Sequence, residues 1–152
     1  MKVIYNDKLL ISQLENMFSN DDLCLDFLAQ LKWNSGFVCR KCNNDNSCDG
    51  KVPFSRRCTR CKNEESATAN TLFHNLKFPV SKAFYIAYEV CKNIGKNMST
   101  YDLSTKLDLR QVTCWNFKNK VEDKINRLLN RSENGSILMT DVLVGNIDSP
   151  FN

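Results

Sequence analysis

Four cysteines in two Cys-x-x-Cys pairs are the residues of this sequence best placed to do chemistry. Cys39 and Cys42 form the first pair, Cys58 and Cys61 form the second, and 15 residues separate the two pairs. Each pair can fold as a tight turn with both sulfurs on one side, so that two turns complete a tetrahedron around one ion. Four thiolates leave no open coordination position, which indicates a structural zinc site and not a catalytic one. An iron–thiolate site uses the same ligands and is the alternative.

Basic side chains crowd both cysteine pairs and favour a module that faces phosphate over an electron carrier. They are Arg40, Lys41, Arg56, Arg57, Arg60 and Lys62. Residues 32–131 carry 19 basic and 9 acidic side chains, a balance of +10, whereas residues 1–31 and 132–152 each have a balance of −3. A basic middle predicts an anionic partner, of which nucleic acid is the commonest, and a solvated surface of uneven charge is the alternative.

The remaining cysteines and the histidine have simpler interpretations. Cys24, Cys91 and Cys114 fall on the apolar faces of predicted helices, which is typical of small buried hydrophobic residues. Cys48 has no partner at Cys-x-x-Cys spacing and is predicted not to be a ligand. His74 is the only histidine, so nucleophilic catalysis by a Cys–His pair has little support.

Apolar periodicity and turn residues predict the elements that position these side chains. The predicted helices cover residues 12–18, 21–31, 79–94, 100–107 and 111–129, with Gly95 ending the third and Ser99 capping the fourth. The predicted strands cover residues 51–58, 63–68 and 137–144, and a polar loop covers 43–50. Because residues 37–71 can bury little apolar area, we expect them to fold only with a bound metal.

Residues 100–120 fit a helix-turn-helix motif. With Thr100 as the first position, apolar residues occupy the positions that such a motif buries, namely Leu103, Leu107, Leu109, Cys114 and Phe117. Asp108 stands at the turn position usually held by glycine, and aspartate tolerates a left-handed conformation better than most residues. The long helix would enter the major groove by its N-terminal end. Trp115 is expected to pack against the preceding helices, and an αα-hairpin with a solvated face is the alternative.

Seven polar side chains are the predicted DNA contacts. Arginine suits guanine and asparagine or glutamine suits adenine, so the predicted base contacts are Arg110, Gln111 and Asn116. Val112 and Asn119 lie on the same side of the helical wheel as Asn116, opposite the buried stripe. The predicted phosphate contacts are Arg56, Arg57, Arg60 and Lys120.

Five stretches of the sequence carry a resemblance to a known family. They are LKWNSGFVC at 31–39, FSRRCTRC at 54–61, SATANTLFH at 66–74, KFP at 77–79 and the segment 103–115. Together they resemble the N-terminal half of insertion-sequence transposases of the ISXO-like, zinc-ribbon kind, with the Merlin elements as eukaryotic relatives. The resemblance implies a zinc ribbon and a helix-turn-helix that bind the terminal inverted repeats of the element.

The same family carries an RNase H-like catalytic domain, in which three acidic residues hold two metal ions for strand cleavage and joining. The stretch TDVLVG at 140–145 resembles the strand that bears the first of them, which makes Asp141 the candidate; an ordinary strand-end residue is the alternative. Only Asp148 follows as a further acidic residue. We therefore expect no catalytic residue and no enzymatic activity from this chain alone.

The combined prediction is an α+β, mostly helical protein with a small zinc ribbon followed by a helix-turn-helix segment. The predicted domains are an N-terminal helical segment (1–36), the zinc ribbon (37–77), the helix-turn-helix segment (78–131), and a linker with a lone strand (132–152) that is the remnant of a truncated catalytic domain. We expect structural zinc and sequence-specific binding of double-stranded DNA, with self-association or a full-length transposase as further partners. A repressor of transcription or transposition and a zinc-ribbon protein-interaction module are the alternatives.

The sequence shows neither a signal peptide nor an apolar run of the ~20 residues that a membrane helix needs. We therefore expect no membrane partner. The expected location is intracellular, in the cytoplasm or nucleoid of a bacterium or in the nucleus of a eukaryote.

Overall fold

The computed structural model describes residues 2–4, 8–94 and 96–145, which form six helices and five short strands. About half of the chain is helical, as predicted. The elements are β1 (Lys2–Ile4), α1 (Lys8–Met17), α2 (Asp21–Lys32), β2 (Ser47–Asp49), β3 (Arg56–Cys58), β4 (Glu64–Glu65), α3 (Val80–Lys92), α4 (Thr100–Leu107), α5 (Gln111–Arg131), β5 (Ser136–Leu138) and α6 (Met139–Val144). No helix among the described residues has both the length and the apolar character needed to cross a membrane.

Helix α2 begins where the sequence predicts it and also caps α3. The Asn20 side chain accepts a hydrogen bond from the Leu23 backbone N–H at 3.1 Å, which makes Asn20 the N-cap of α2. Helix α3 begins after Pro79, whose side chain offers no hydrogen-bond acceptor. Asp21 Oδ1 instead accepts from the Ser81 backbone N–H at 2.9 Å and satisfies one of the donors that a helix start leaves unpaired. This contact fixes the first turn of α2 against the start of α3.

Helix α3 is buried on most sides and lies at the centre of the helical core. Its Phe84 ring stacks on Phe73, with ring centroids 4.5 Å apart, and Phe73 lies 6.1 Å from Phe117 of α5. The backbone N–H of Leu72 donates to Leu143 O at 3.1 Å, so α6 is joined to the same core. The aromatic segment before α3 therefore connects α3, α5 and α6.

The three cysteines predicted to be small core residues are all buried. Burial raises the pKa of Cys24 to about 12, and the nearby Asp21 carboxylate adds to the shift. Burial alone raises the pKa of Cys91 to about 12. Burial also raises the pKa of Cys114, and a backbone hydrogen bond opposes that shift. These thiols are neutral at physiological pH, as expected of packing residues.

Helices α4 and α5 follow the predicted bounds closely. Ser99 Oγ accepts from the Asp102 backbone N–H at 3.2 Å and caps α4 as predicted. Asp108 ends α4 in the left-handed conformation, with φ 53° and ψ 53°. Of the five apolar residues predicted to be buried in this segment, three are buried and two are half-buried against the same core: Leu103, Cys114 and Phe117, then Leu107 and Leu109.

The tail differs from the strand predicted over 137–144. Strand β5 ends at Leu138 and pairs in parallel with β1, so it is not a lone strand. Residues 139–144 form α6 because Met139, Val142 and Leu143 are all fully buried, and positions i, i+3 and i+4 share one face only in a helix. Gly95, which was predicted to end α3, and residues 146–152, including Asp148, lie outside the described residues.

The ribbon segment contains the three-stranded antiparallel sheet β2-β3-β4. The strands predicted over 51–58 and 63–68 are shorter than expected, at Arg56–Cys58 and Glu64–Glu65. The predicted polar loop over 43–50 contains β2, whose Ser47 lies opposite Cys58 in the sheet. The polar composition of this segment does not predict a strand, because β2 is held in place by pairing with β3 and not by burial of its own side chains.

Candidate metal centre and nucleic-acid interface

The four predicted ligand sulfurs meet at one point of the ribbon. The sulfurs of Cys39, Cys42, Cys58 and Cys61 all lie within 4.8 Å of one another. The Cys39–Cys61 and Cys42–Cys58 pairs are each 3.5 Å apart. Four sulfurs bonded to one zinc ion at about 2.3 Å are roughly 3.8 Å apart, so the cluster has the size of a tetrahedral zinc site.

The two cysteine turns have the same local geometry. Cys39 N donates to Asn44 O at 2.8 Å, and Cys58 N donates to Asn63 O at 2.9 Å. The residue after each pair, Asn43 or Lys62, has a left-handed φ of 63° or 64°, which closes the turn. Each turn therefore aims its two sulfurs at the other turn, as the spacing predicts.

Backbone donors favour the thiolate form of the first cysteine in each pair. The Lys41 N–H points at Cys39 Sγ and the Arg60 N–H points at Cys58 Sγ, both at 3.4 Å. Burial opposes ionisation of Cys58, but these and other donors outweigh burial and lower its pKa to about 6. Burial also opposes ionisation of Cys39, whose pKa is nevertheless lowered by backbone hydrogen bonds. Since zinc binds thiolates, the donors suit a metal centre.

The ribbon has almost no core apart from the cysteines. Its separate hydrophobic cluster contains the buried residues Phe37, Cys39 and Cys58, with Trp33 and the other two cysteines packed against them. Cys48 is exposed on β2 and takes no part in the four-sulfur cluster, as predicted. The ligand set fits structural Zn²⁺, and the four cysteines would hold it. Bound zinc supplies a cross-link between the two turns.

A buried ion pair ties the ribbon to α2, and sequence reasoning missed it. Lys32 Nζ lies 3.2 Å from Glu65 Oε2, and the two side chains are only 5% and 10% exposed. The same Lys32 ammonium donates to Ser66 O at 2.7 Å and Ala69 O at 2.9 Å. Burial lowers the pKa of Lys32, and the Glu65 carboxylate opposes that shift. Arg40 and Asn70 donate to the other Glu65 oxygen, so the first cysteine turn shares this contact.

Cross-strand ion pairs occupy two of the three ribbon arginines predicted to contact phosphate. Arg56 pairs with Asp49 at 3.0 Å and Arg57 pairs with Glu64 at 2.9 Å. Arg60 is exposed between the second pair of cysteines. Among these three arginines, Arg60 is therefore the side chain that could meet a phosphate without first giving up an ion pair described here.

The geometry of the ribbon agrees with a match to a known family. Residues 19–64 match the transposase zinc-ribbon domain. The matched range contains all four cysteines, both turns and the whole of α2, and it supports a transposase-like zinc ribbon. The match ends before α3, so it does not extend to the α4–α5 segment. No curated protein and no solved structure gives a significant match to the chain.

The N-terminal half of α5 presents the predicted base contacts to solvent. Arg110, Gln111 and Asn116 are all exposed. Gln111 Nε2 donates to Thr100 Oγ1 at 3.2 Å, which joins the first turns of α4 and α5. The Gln111 side chain is therefore held in place and would have to keep or exchange this bond on reaching a base.

Trp115 does not pack against the preceding helices, contrary to the prediction. Its side chain is 54% exposed, and Val112, one turn earlier, is 58% exposed. The reason is the angular position of Trp115 on α5. The buried stripe runs through Cys114, Phe117 and Val121, and a residue one position from Cys114 is rotated about 100° away from it. The exposed face of α5 thus has apolar as well as polar groups.

The middle of α5 carries Lys120, which is exposed, and Lys124, which is half-buried. Lys120 Nζ lies 3.4 Å from His74 O, and burial lowers its pKa. Burial also lowers the pKa of Lys124 to about 8; the Lys120 charge adds to that shift and Asp141 opposes it. Asp141 is exposed in the first turn of α6 and does not lie at a strand end. Within the described residues, only the four cysteines form a group of three or more potential metal ligands.

Proposed function

We propose that this chain is a zinc-stabilised, sequence-specific DNA-binding protein of transposase origin. In this proposal α4, the turn at Asp108 and α5 form a helix-turn-helix, and α5 enters the major groove by its N-terminal end. The transposase zinc-ribbon match over residues 19–64 is the observation that carries the proposal. The target is the terminal inverted repeat of an insertion element, as the resemblance to ISXO-like and Merlin-like transposases implies.

Two features of α4 and α5 support a DNA-reading role. Asp108 adopts the left-handed conformation that the tight turn of such a motif requires. Arg110 and Asn116, whose side chains suit guanine and adenine, are exposed near the start of α5. The four ribbon cysteines hold structural zinc, and the proposal assigns no catalytic residue to this chain; in the described part of the chain Asp141 belongs to no group of three or more potential metal ligands.

The test begins with selection of preferred sequences from random double-stranded DNA by the zinc-loaded full chain. Asn116→Ala should then weaken binding to the selected site by roughly 5- to 150-fold, equivalent to about 1–3 kcal/mol, and relax preference at one base pair. Asn130→Ala is the matched control because Asn130 is exposed near the far end of the same helix. Inverted repeats beside the gene that contain the selected sequence would support the proposed target.

Loss of a phosphate contact should affect DNA binding differently from loss of a base contact. Arg60→Ala should weaken binding to selected and scrambled DNA alike and reduce the salt slope of binding by about one unit. Selection without any enriched sequence, or equal binding by wild type and both variants, would contradict the proposal. In that case the α4–α5 pair is an αα-hairpin and the protein-interaction alternative is favoured.

A further inference from the structure

The exposed apolar pair on α5 is the feature that the proposed function leaves unexplained. Val112 and Trp115 are 58% and 54% exposed and are separated by three positions on one helix. Residues at i and i+3 are neighbours on a helix surface, so the two side chains form one patch. Single exposed hydrophobic residues are common and need no explanation, but this pair adjoins the exposed Asn116 amide and follows Arg110.

The polar groups beside the patch narrow the choice of occupant. The surrounding segment 32–131 has a charge balance of +10, which suits an anionic partner. Arginine and asparagine can each make paired hydrogen bonds with base edges, but valine cannot make any through its side chain. In the major groove, the apolar group that a base edge offers is the C5-methyl group of thymine. A patch that mixes these side chains therefore matches a base sequence containing thymine.

We propose that Val112 and Trp115 contact the C5-methyl groups of two thymines in the recognised DNA site. The proposal rests on the proposed function, because it requires that the N-terminal half of α5 lies in the major groove. The two positions are separated by about 4.5 Å along the helix axis, close to the rise of about 3.4 Å per base pair. The two thymines are therefore expected either at adjacent base pairs or with one base pair between them.

The experiment replaces thymine by deoxyuridine in the site selected by the zinc-loaded full chain. Deoxyuridine keeps every hydrogen-bonding group of thymine and lacks only the methyl group. Each critical replacement should weaken binding by about fourfold, which is about 0.8 kcal/mol, the value for one buried CH₂ group. Replacement of thymines outside the selected site should leave binding unchanged.

Two variants assign the effect to the side chains. Val112→Ala should weaken binding and make the protein insensitive to deoxyuridine at one thymine, and Trp115→Ala should do the same at the other. Val52→Ala is the matched control, since Val52 is 59% exposed but lies in the ribbon. It should keep the full sensitivity to deoxyuridine. Because all three side chains are exposed, the variants should fold normally, and circular dichroism would verify this.

The possible results separate the two proposals. Selection of a clear site that binds equally well with deoxyuridine overturns the thymine contacts and leaves DNA binding intact. If the Val112→Ala and Trp115→Ala variants both keep the wild-type sensitivity to deoxyuridine, the assignment of the thymine contacts to these side chains is also overturned. Selection that enriches no sequence overturns the proposed function and the thymine contacts together.

Discussion

Breaking the buried Lys32–Glu65 ion pair should destabilise this protein more than breaking an ion pair on its surface. Glu65 accepts hydrogen bonds from Arg40 and Asn70 in addition to its contact with Lys32 at 3.2 Å. The Glu65→Ala substitution therefore leaves a Lys32 ammonium that is 5% exposed and has lost its counter-charge. An ion left unpaired in this way costs about 3–5 kcal/mol.

Lys32 keeps two hydrogen bonds in the Glu65→Ala variant. The expected loss of stability is therefore near the lower end of the range of about 3–5 kcal/mol, at about 3 kcal/mol. Lys32 keeps the carbonyl oxygens of Ser66 and Ala69, at 2.7 and 2.9 Å, and these partly solvate the charge. Lys32→Met should cost less, about 1–2 kcal/mol, because it leaves no ion unpaired. Glu65 keeps the charge and hydrogen bond of Arg40, and the carbonyls of Ser66 and Ala69, which lose a donor, are neutral. The specific expectation is that Glu65→Ala lowers the free energy of unfolding more than Lys32→Met does.

Urea unfolding of the zinc-loaded protein at pH 7 measures these differences. Asp123→Ala is the control, since the Arg127–Asp123 pair is 53% and 64% exposed and should contribute at most about 0.5 kcal/mol. Trp33, whose ring lies 4.7 Å from Lys32 Nζ, contributes a fluorescence signal from beside the ion pair, in addition to the signal of Trp115. A Glu65→Ala cost no larger than that of Asp123→Ala would refute the reasoning. So would a Lys32→Met cost that exceeds the Glu65→Ala cost.

Substitutions at three further positions test the ribbon, a half-buried lysine and the turn. Cys58→Ser should abolish stoichiometric zinc and unfold the ribbon, as metal analysis and NMR would show, whereas the exposed Cys48→Ser should retain both. Because the folded-state pKa of Lys124 is lowered to about 8, the unfolded state binds more protons between pH 8 and 10.5 and stability rises over that window. Lys124→Met should therefore be more stable than wild type at pH 7, by on the order of 1–3 kcal/mol, and urea titrations should show this advantage shrinking towards pH 10. Asp108→Gly should raise the melting temperature, and Asp108→Val should lower stability by about 1–2 kcal/mol, because φ is 53° there.

Short sequence patterns correctly predicted those parts of the fold that depend only on contacts between residues close together in the chain. The cysteine spacing alone indicated the sulfur cluster, since a Cys-x-x-Cys turn fixes the direction of its own two sulfurs. Ser99 was predictable as a cap and Asp108 as a left-handed residue, because both depend on contacts within one helical turn. The buried stripe of α5 followed from helical periodicity for the same reason.

The sequence did not predict the structural features that depend on contacts between distant residues. Strand β2 is ordered by pairing with β3, and β5 by a parallel partner at the opposite end of the chain. The apolar run 139–144 has the i, i+3, i+4 spacing of a helix, but six residues are too few for periodicity to separate a helix from a buried strand. Trp115 was predicted to pack against the preceding helices, although its angular position on α5 is outside the buried stripe.

The Lys32 contact also bears on how the ribbon is held against the helices. The predicted boundary between residues 36 and 37 separates α2 from the ribbon, whereas the transposase zinc-ribbon match at 19–64 includes both. Lys32 is the last residue of α2 and Glu65 lies in β4, so their ion pair joins the two segments through buried groups. The first cysteine turn reaches the same carboxylate through Arg40. Zinc binding, which orders that turn, and the placement of the ribbon against α2 should therefore be coupled, and loss of either should weaken the other.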